Sequence, residues 1–168
     1  DRRSNALVDN FAAQWLNLRN LDSFRPSVAQ FPHFDAELRY ALQQETELFL
    51  TNMLREDRGL LDLLVADYTY LNERLAQHYG IPGVYGDSFR RVMLRDETRK
   101  GLLGKGSVLM ATSRPNRTSP VLRGRWVLSS LLGTPPSPAP PDVPALNERR
   151  EEVRGLTMRE RMIEHQVN

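Results

Sequence analysis

The chain contains no cysteine. That excludes disulfides, cysteine-ligated zinc, a cysteine nucleophile and covalent attachment of a c-type haem within it. Lysine is nearly absent too: Lys100 and Lys105 are the only lysines among 23 basic residues. Arginine therefore carries the positive charge, which follows either from a GC-rich coding sequence or from a need for bidentate guanidinium pairing. Histidine is limited to His33, His78 and His165, distant from one another, and no HExxH or other metal pair occurs. Each reads as a structural or surface residue, and His78 stands near a helix end, where the helix dipole favours a histidinium. No apolar run approaches the ~18 residues of a membrane-spanning helix. The first residue is Asp1 rather than methionine, so the chain reads as processed or as a piece of a longer protein.

What is present suffices for one domain, or a domain with an extended arm: 168 residues, 40% of them hydrophobic. A chain of this length hides roughly 70% of its unfolded surface on folding, so it needs no disulfide or metal to be stable. The formal charge of +2 conceals a segregation of signs. Acidic residues outnumber arginines from Asp35 to Glu73, whereas residues 90–125 hold ten basic residues against Asp96 and Glu97. That basic stretch is a candidate interaction surface.

Helical periodicity dominates. Leu7, Val8, Phe11, Ala12, Trp15 and Leu16 share one face of a first helix, with Phe11 and Trp15 as its large anchors. A longer helix starts at Asp35, whose carboxylate caps the first turn, and stops at Gly59. Glu45 continues the apolar spacing set by Leu38 and Leu42, which predicts a partly buried carboxylate in need of a cation. Leu60, Leu61, Leu63 and Leu64 suit a short, nearly buried helix, and Asp67 can cap another carrying Leu71, Leu75 and Tyr79. Gly80 and Pro82 stop that helix. Phe89 to Leu94 is the only strand the pattern offers. The glycines of GLLGKGS, from Gly101 to Ser107, have the wrong spacing for a phosphate-binding loop and predict tight packing before a helical run. Ser119 and Pro120 open a helix through Trp126 and Leu131 to Gly133. Six prolines between Pro135 and Pro144 predict an extended polyproline arm, and Thr157 with Glu160 forms a capping box for a last short helix.

The expected fold is thus mainly α: five to six helices in an irregular bundle, with one short strand at most. A helical domain over residues 1–133 is followed by a proline-rich arm over 134–156 and a C-terminal helix over 157–168. The predicted core is Phe11, Trp15, Leu38, Leu42, Phe49, Leu64, Leu71, Leu75, Leu109, Trp126 and Leu131.

No complete catalytic set is evident. Asp67 and Glu73, with arginine nearby, are the one carboxylate pair from which a hydrolase or oxidoreductase site could be built, and helix capping and ion pairing are the simpler readings of both. Arg90, Arg91, Arg95, Arg99, Arg114, Arg117, Arg123 and Arg125 form a candidate partner- or anion-binding set. Four of them, Arg114, Arg117, Arg123 and Arg125, flank the cap at Ser119. Their rival role is pairing with buried carboxylates such as Glu45 or Asp67. Nucleic-acid binding through residues 90–125 is a further alternative, disfavoured because Phe89 and Trp126 are the only aromatics there and Trp126 lies on an apolar face.

The strings FAAQWLNLRNLD, FPHFDAELRYALQQETELFL, LLVADYTYLNERLAQHYGI, FRRVML and GLLGKGSVLMATSRPNRTSPVLRGRWVLSSLLGTPPSPAPPDVP resemble the planctomycete-type cytochrome c family. The resemblance runs from about Phe11 to His165. It spans the end of one domain of unknown function, to a boundary near residues 85–90, and the first half of the next. It implies a multi-domain exported or periplasmic bacterial redox protein. CxxCH haem motifs are expected in neighbouring segments or in a partner subunit, with His165 as a neighbour of such a haem, and no cofactor in this chain. The expected role is a non-catalytic structural or docking module that meets a cytochrome or a membrane-bound respiratory or photosynthetic complex, not nucleic acid.

Overall fold

The computed structural model describes residues 6–138 and 155–167. The expected proline arm falls largely on residues 139–154, and His165 offers no described side chain, so both lie outside what is described. Roughly seven helices and a small antiparallel sheet make up the described residues.

Helix α1 begins as a π-helical stretch, Leu7–Ala12, and continues as Ala13–Trp15. Its wide winding turns the row Val8, Ala12, Leu16 inward, and all three are buried. Phe11 is 59% exposed and Trp15 half-buried, the two rings stacked 5.9 Å apart. The core position predicted for Phe11 is therefore incorrect: aromatic size does not decide which row of a π-helix faces in. Asn17 turns the chain with positive φ, and a 3-10 helix, Leu18–Asp22, buries Leu18 and Leu21.

Helix α2, Ala36–Arg55, is the spine of the molecule. Asp35 caps it by accepting from the Leu38 amide at 2.7 Å, as predicted. That bond and the one from Arg74 hold the Asp35 carboxyl below its ordinary pKa. The helix ends four residues before Gly59, and Asp57 takes positive φ beyond it. Two apolar clusters lie along α2. The larger joins Phe49 and Met53 to Val8, Leu16, Leu21, Leu102, Val108 and Trp126. The other joins Leu38, Ala41 and Leu42 to Leu71, Leu75, Ala76 and Val84.

The short helix α3, Asp62–Val65, is not the nearly buried element that its leucines suggest. Leu60 and Leu61 are more than three-quarters exposed, and Leu64, predicted in the core, is also exposed.

The mainly-α expectation fails at the next segment. Tyr68–Leu71 is a strand, β1, and pairs antiparallel with β2, Arg90–Met93, in the register Tyr68↔Met93 to Leu71↔Arg90. The fold is a helical assembly carrying a two-stranded sheet. A lone strand at residues 89–94 would leave its backbone groups unpaired. Tyr-Thr-Tyr supplies the aromatic and β-branched residues that suit the partner strand. Asp67 consequently caps no helix; it precedes β1, and its carbonyl accepts from the Leu94 amide. The cap of the next helix, α4 (Glu73–Tyr79), is Asn72, whose side chain accepts from the Leu75 amide at 3.0 Å. Gly80 ends α4 with φ of 68°, the left-handed turn that glycine tolerates best.

Two 3-10 turns lead to α5, Gly106–Ala111. Helix α6, Pro120–Trp126, is capped by Ser119 and runs on as a π-helical turn, Val127–Leu131. Trp126 is buried and donates its indole N–H to the Leu16 carbonyl, while Trp15 donates to the Ser130 carbonyl at 2.6 Å. The ends of the described 6–138 segment are thereby pinned together. Leu109 and Leu131 are half-buried. Helix α7, Met158–Val167, opens with the predicted capping box: Thr157 N–H donates to Glu160, and Glu160 N–H donates to the Thr157 hydroxyl. No helix among the described residues is long and apolar enough to cross a membrane.

Candidate functional site

Between the two apolar clusters, α2 carries Glu45 and Thr46, both buried. The Glu45 carboxylate accepts from the Thr69 hydroxyl at 2.5 Å, from the Tyr79 hydroxyl at 2.6 Å and from the Gly106 amide at 3.4 Å. Thr69 stands on β1, Tyr79 at the end of α4 and Gly106 at the start of α5, so this one side chain ties four elements together. Thr46 and Ser107 share a hydrogen bond beside it.

The cation that the position of Glu45 calls for is Lys105, which is fully buried. Its ammonium donates to the Tyr68 carbonyl at 3.2 Å and lies 4.4 Å over the Phe49 ring. Burial pulls the Lys105 ammonium down to about 8, partly offset by the Glu45 charge. Burial also raises the Glu45 carboxyl, opposed by Lys105 and by the Thr69 and Tyr79 hydroxyls. The Tyr79 hydroxyl is pushed well up by burial and by the Glu45 charge beside it. Gly106 makes the arrangement possible: a Cβ there would press on Leu42 Cδ2 and sit 2.5 Å from the Tyr79 hydroxyl. The GLLGKGS stretch thus performs the tight packing its glycines predict.

The Glu45 and Lys105 side chains are buried, whereas Tyr79, half-buried, and Gly106 also line a neighbouring groove.

The other predicted residues fall elsewhere. The carboxylates of Asp67 and Glu73 flank β1 at its two ends and share no partner. Glu73 accepts from the Gly86 amide at 2.6 Å and from Gln77, and Asp67 is exposed. Among the arginines, Arg90, Arg91 and Arg95 lie exposed on or just beyond β2. Arg90 donates to the Tyr85 carbonyl, and Arg91 lies 3.8 Å over the Tyr68 ring and 3.6 Å from Glu56. Arg99, Arg114, Arg117 and Arg123 line one groove of about 330 Å³, whereas Arg125 is exposed and apart from it. No arginine pairs with Glu45 or Asp67 among the described residues. His33 is exposed. The charged state expected of His78 is opposed, since burial and the charges of Arg74 and Arg99 lower its pKa. Sequence reasoning missed Lys105 as a core residue. Its only signal was a lysine set between two glycines in an otherwise apolar run.

Residues 1–81 match the family model PSD4, protein of unknown function (DUF1592), and residues 99–168 match PSCyt3, protein of unknown function (DUF1588). Both names point to the planctomycete cytochrome c-associated proteins. No curated protein and no solved structure matches the chain.

Proposed function

Taking as premise a DUF1592-type segment followed by a DUF1588-type segment, we propose that this chain is a non-catalytic docking module of an exported, periplasmic electron-transfer protein or complex. The observation that carries the reading is the division of its charged groups. Glu45 and Lys105 are buried inside the fold, while Arg90, Arg91 and Arg95 stand exposed on or just beyond β2. β2 pairs with β1 on one side only. Arginines on such an edge discourage indiscriminate strand pairing and leave the strand to an acidic partner surface, where charge complementarity steers docking. A cytochrome, or a membrane-bound redox complex with its haem in a neighbouring segment or subunit, is the partner the family names favour.

The test is capture from native membranes at low ionic strength, with the eluate stained for haem. The wild-type chain retains a haem-bearing partner, and the triple variant Arg90→Gln/Arg91→Gln/Arg95→Gln does not. Absence of any haem protein from the wild-type eluate contradicts the reading.

A further inference from the structure

The groove ringed by four of the predicted anion-binding arginines has a character of its own. Its floor is apolar, built from Phe31, Phe34, Leu42, Leu109 and Met110. Its rim carries Arg99, Arg114, Arg117 and Arg123, and among the described residues no aspartate or glutamate lines it. Two of these cations are held in place by uncharged groups, with Asp96 also within the field of Arg99. The Arg99 guanidinium lies 4.0 Å over the Tyr79 ring. Arg123 donates to the Thr112 and Thr118 hydroxyls, both at 3.3 Å. Arg114 and Arg117 are joined through their backbones in an isolated bridge that fixes their spacing.

Like charges gathered at one place raise one another's energy until an anion joins them, and guanidinium forks match a carboxylate in geometry as well as charge. An apolar floor beneath such a rim selects for a ligand with two ends. The volume, about 330 Å³, falls at the small end of the ~300–1,000 Å³ usual for small-molecule sites. The His78 imidazole, also on the groove wall, is depressed by burial, by Arg74 and by Arg99, in keeping with a positive field there.

We propose that this groove binds a small amphipathic carboxylate, with its charged end at Arg99, Arg114 and Arg123 and its apolar body on Phe34, Leu109 and Met110. The proposal goes beyond the docking reading and uses different residues, so either can fail while the other stands.

Calorimetric titration of octanoate, octanol, octylamine and acetate into the full chain at low ionic strength tests it. Octanoate is expected to saturate a single site, to bind at least about tenfold more tightly than octanol or acetate, and to weaken as salt is added. Octylamine is expected not to bind. Arg114→Gln, an exposed position, should lower octanoate affinity several-fold with the melting curve unchanged, and Met110→Trp, which fills the floor, should abolish binding. No octanoate binding at millimolar concentration overturns the proposal. So does octanol binding as tightly as octanoate, or undiminished binding by both variants.

Discussion

Lys105 and Glu45 are the residues on which the interior depends. A lysine held near 8 when folded binds fewer protons than the unfolded chain from there up to its ordinary value of 10.5. Unfolding then takes up a proton, so stability rises with pH across that window. Glu45, with its folded value raised, acts in the opposite sense: its contribution declines as pH rises from its ordinary 4.5 up through its raised folded value. Tyr68, Tyr70 and Tyr79 are also raised, and oppose the rise only above pH 10. Denaturant melts between about pH 8 and 9.5 should therefore show the wild type gaining stability relative to Lys105→Met as pH rises. At neutral pH, Lys105→Met alone should cost about 1–3 kcal/mol by leaving the Tyr68 carbonyl unpaired and removing the charge that offsets burial of Glu45, while Glu45→Gln/Lys105→Met should recover part of that loss. A double-mutant cycle in urea measures the coupling. The burial of Glu45 was legible because it falls on the stripe of Leu38 and Leu42. The identities of its hydrogen-bond partners were not, since nothing local marks contacts with Thr69, Tyr79 and Gly106, so far away in sequence.

Among the elements, those with chemical punctuation were readable. Asp35, Gly80, Ser119-Pro120 and the Thr157–Glu160 box each carry a local reason for a boundary, and each boundary is where that reason puts it. Tyr68–Leu71 was not readable as a strand, because four residues between helical segments show too little periodicity and the hydrogen bonds that define β1 come from β2, far along the chain. The same limit hid the exposure of Leu60, Leu61 and Leu64: a run of leucines states a preference for burial but not whether a neighbour arrives to provide it. Two substitutions test the elements as drawn. Trp126→Ala removes the side chain that α6 sets against Leu16 and should cost about 3–5 kcal/mol, read as a lower denaturation midpoint. Asn72→Ala removes the cap of α4 and should cost about 1 kcal/mol; an unchanged midpoint would show that the β1–α4 junction is held by other contacts.

Across the whole molecule the charged groups fall into separate populations. One is buried and self-satisfied around Glu45; others are exposed along β2 or gathered around the groove. The eight candidate arginines were legible as a basic stretch, but their partition between a strand edge and a groove depends on tertiary placement that composition does not encode. On this division the buried population serves the fold and the strand-edge arginines serve recognition. The most direct measurement compares two variants in the membrane-capture assay: Glu45→Gln/Lys105→Met in the core and Arg90→Gln/Arg91→Gln/Arg95→Gln on the surface, both at a temperature at which circular dichroism shows them folded. The core variant should retain the haem-bearing partner, and the surface variant should lose it while remaining folded at the assay temperature. Loss of capture by the folded core variant, or undiminished capture by the surface variant, would contradict the division of labour between core and surface charges.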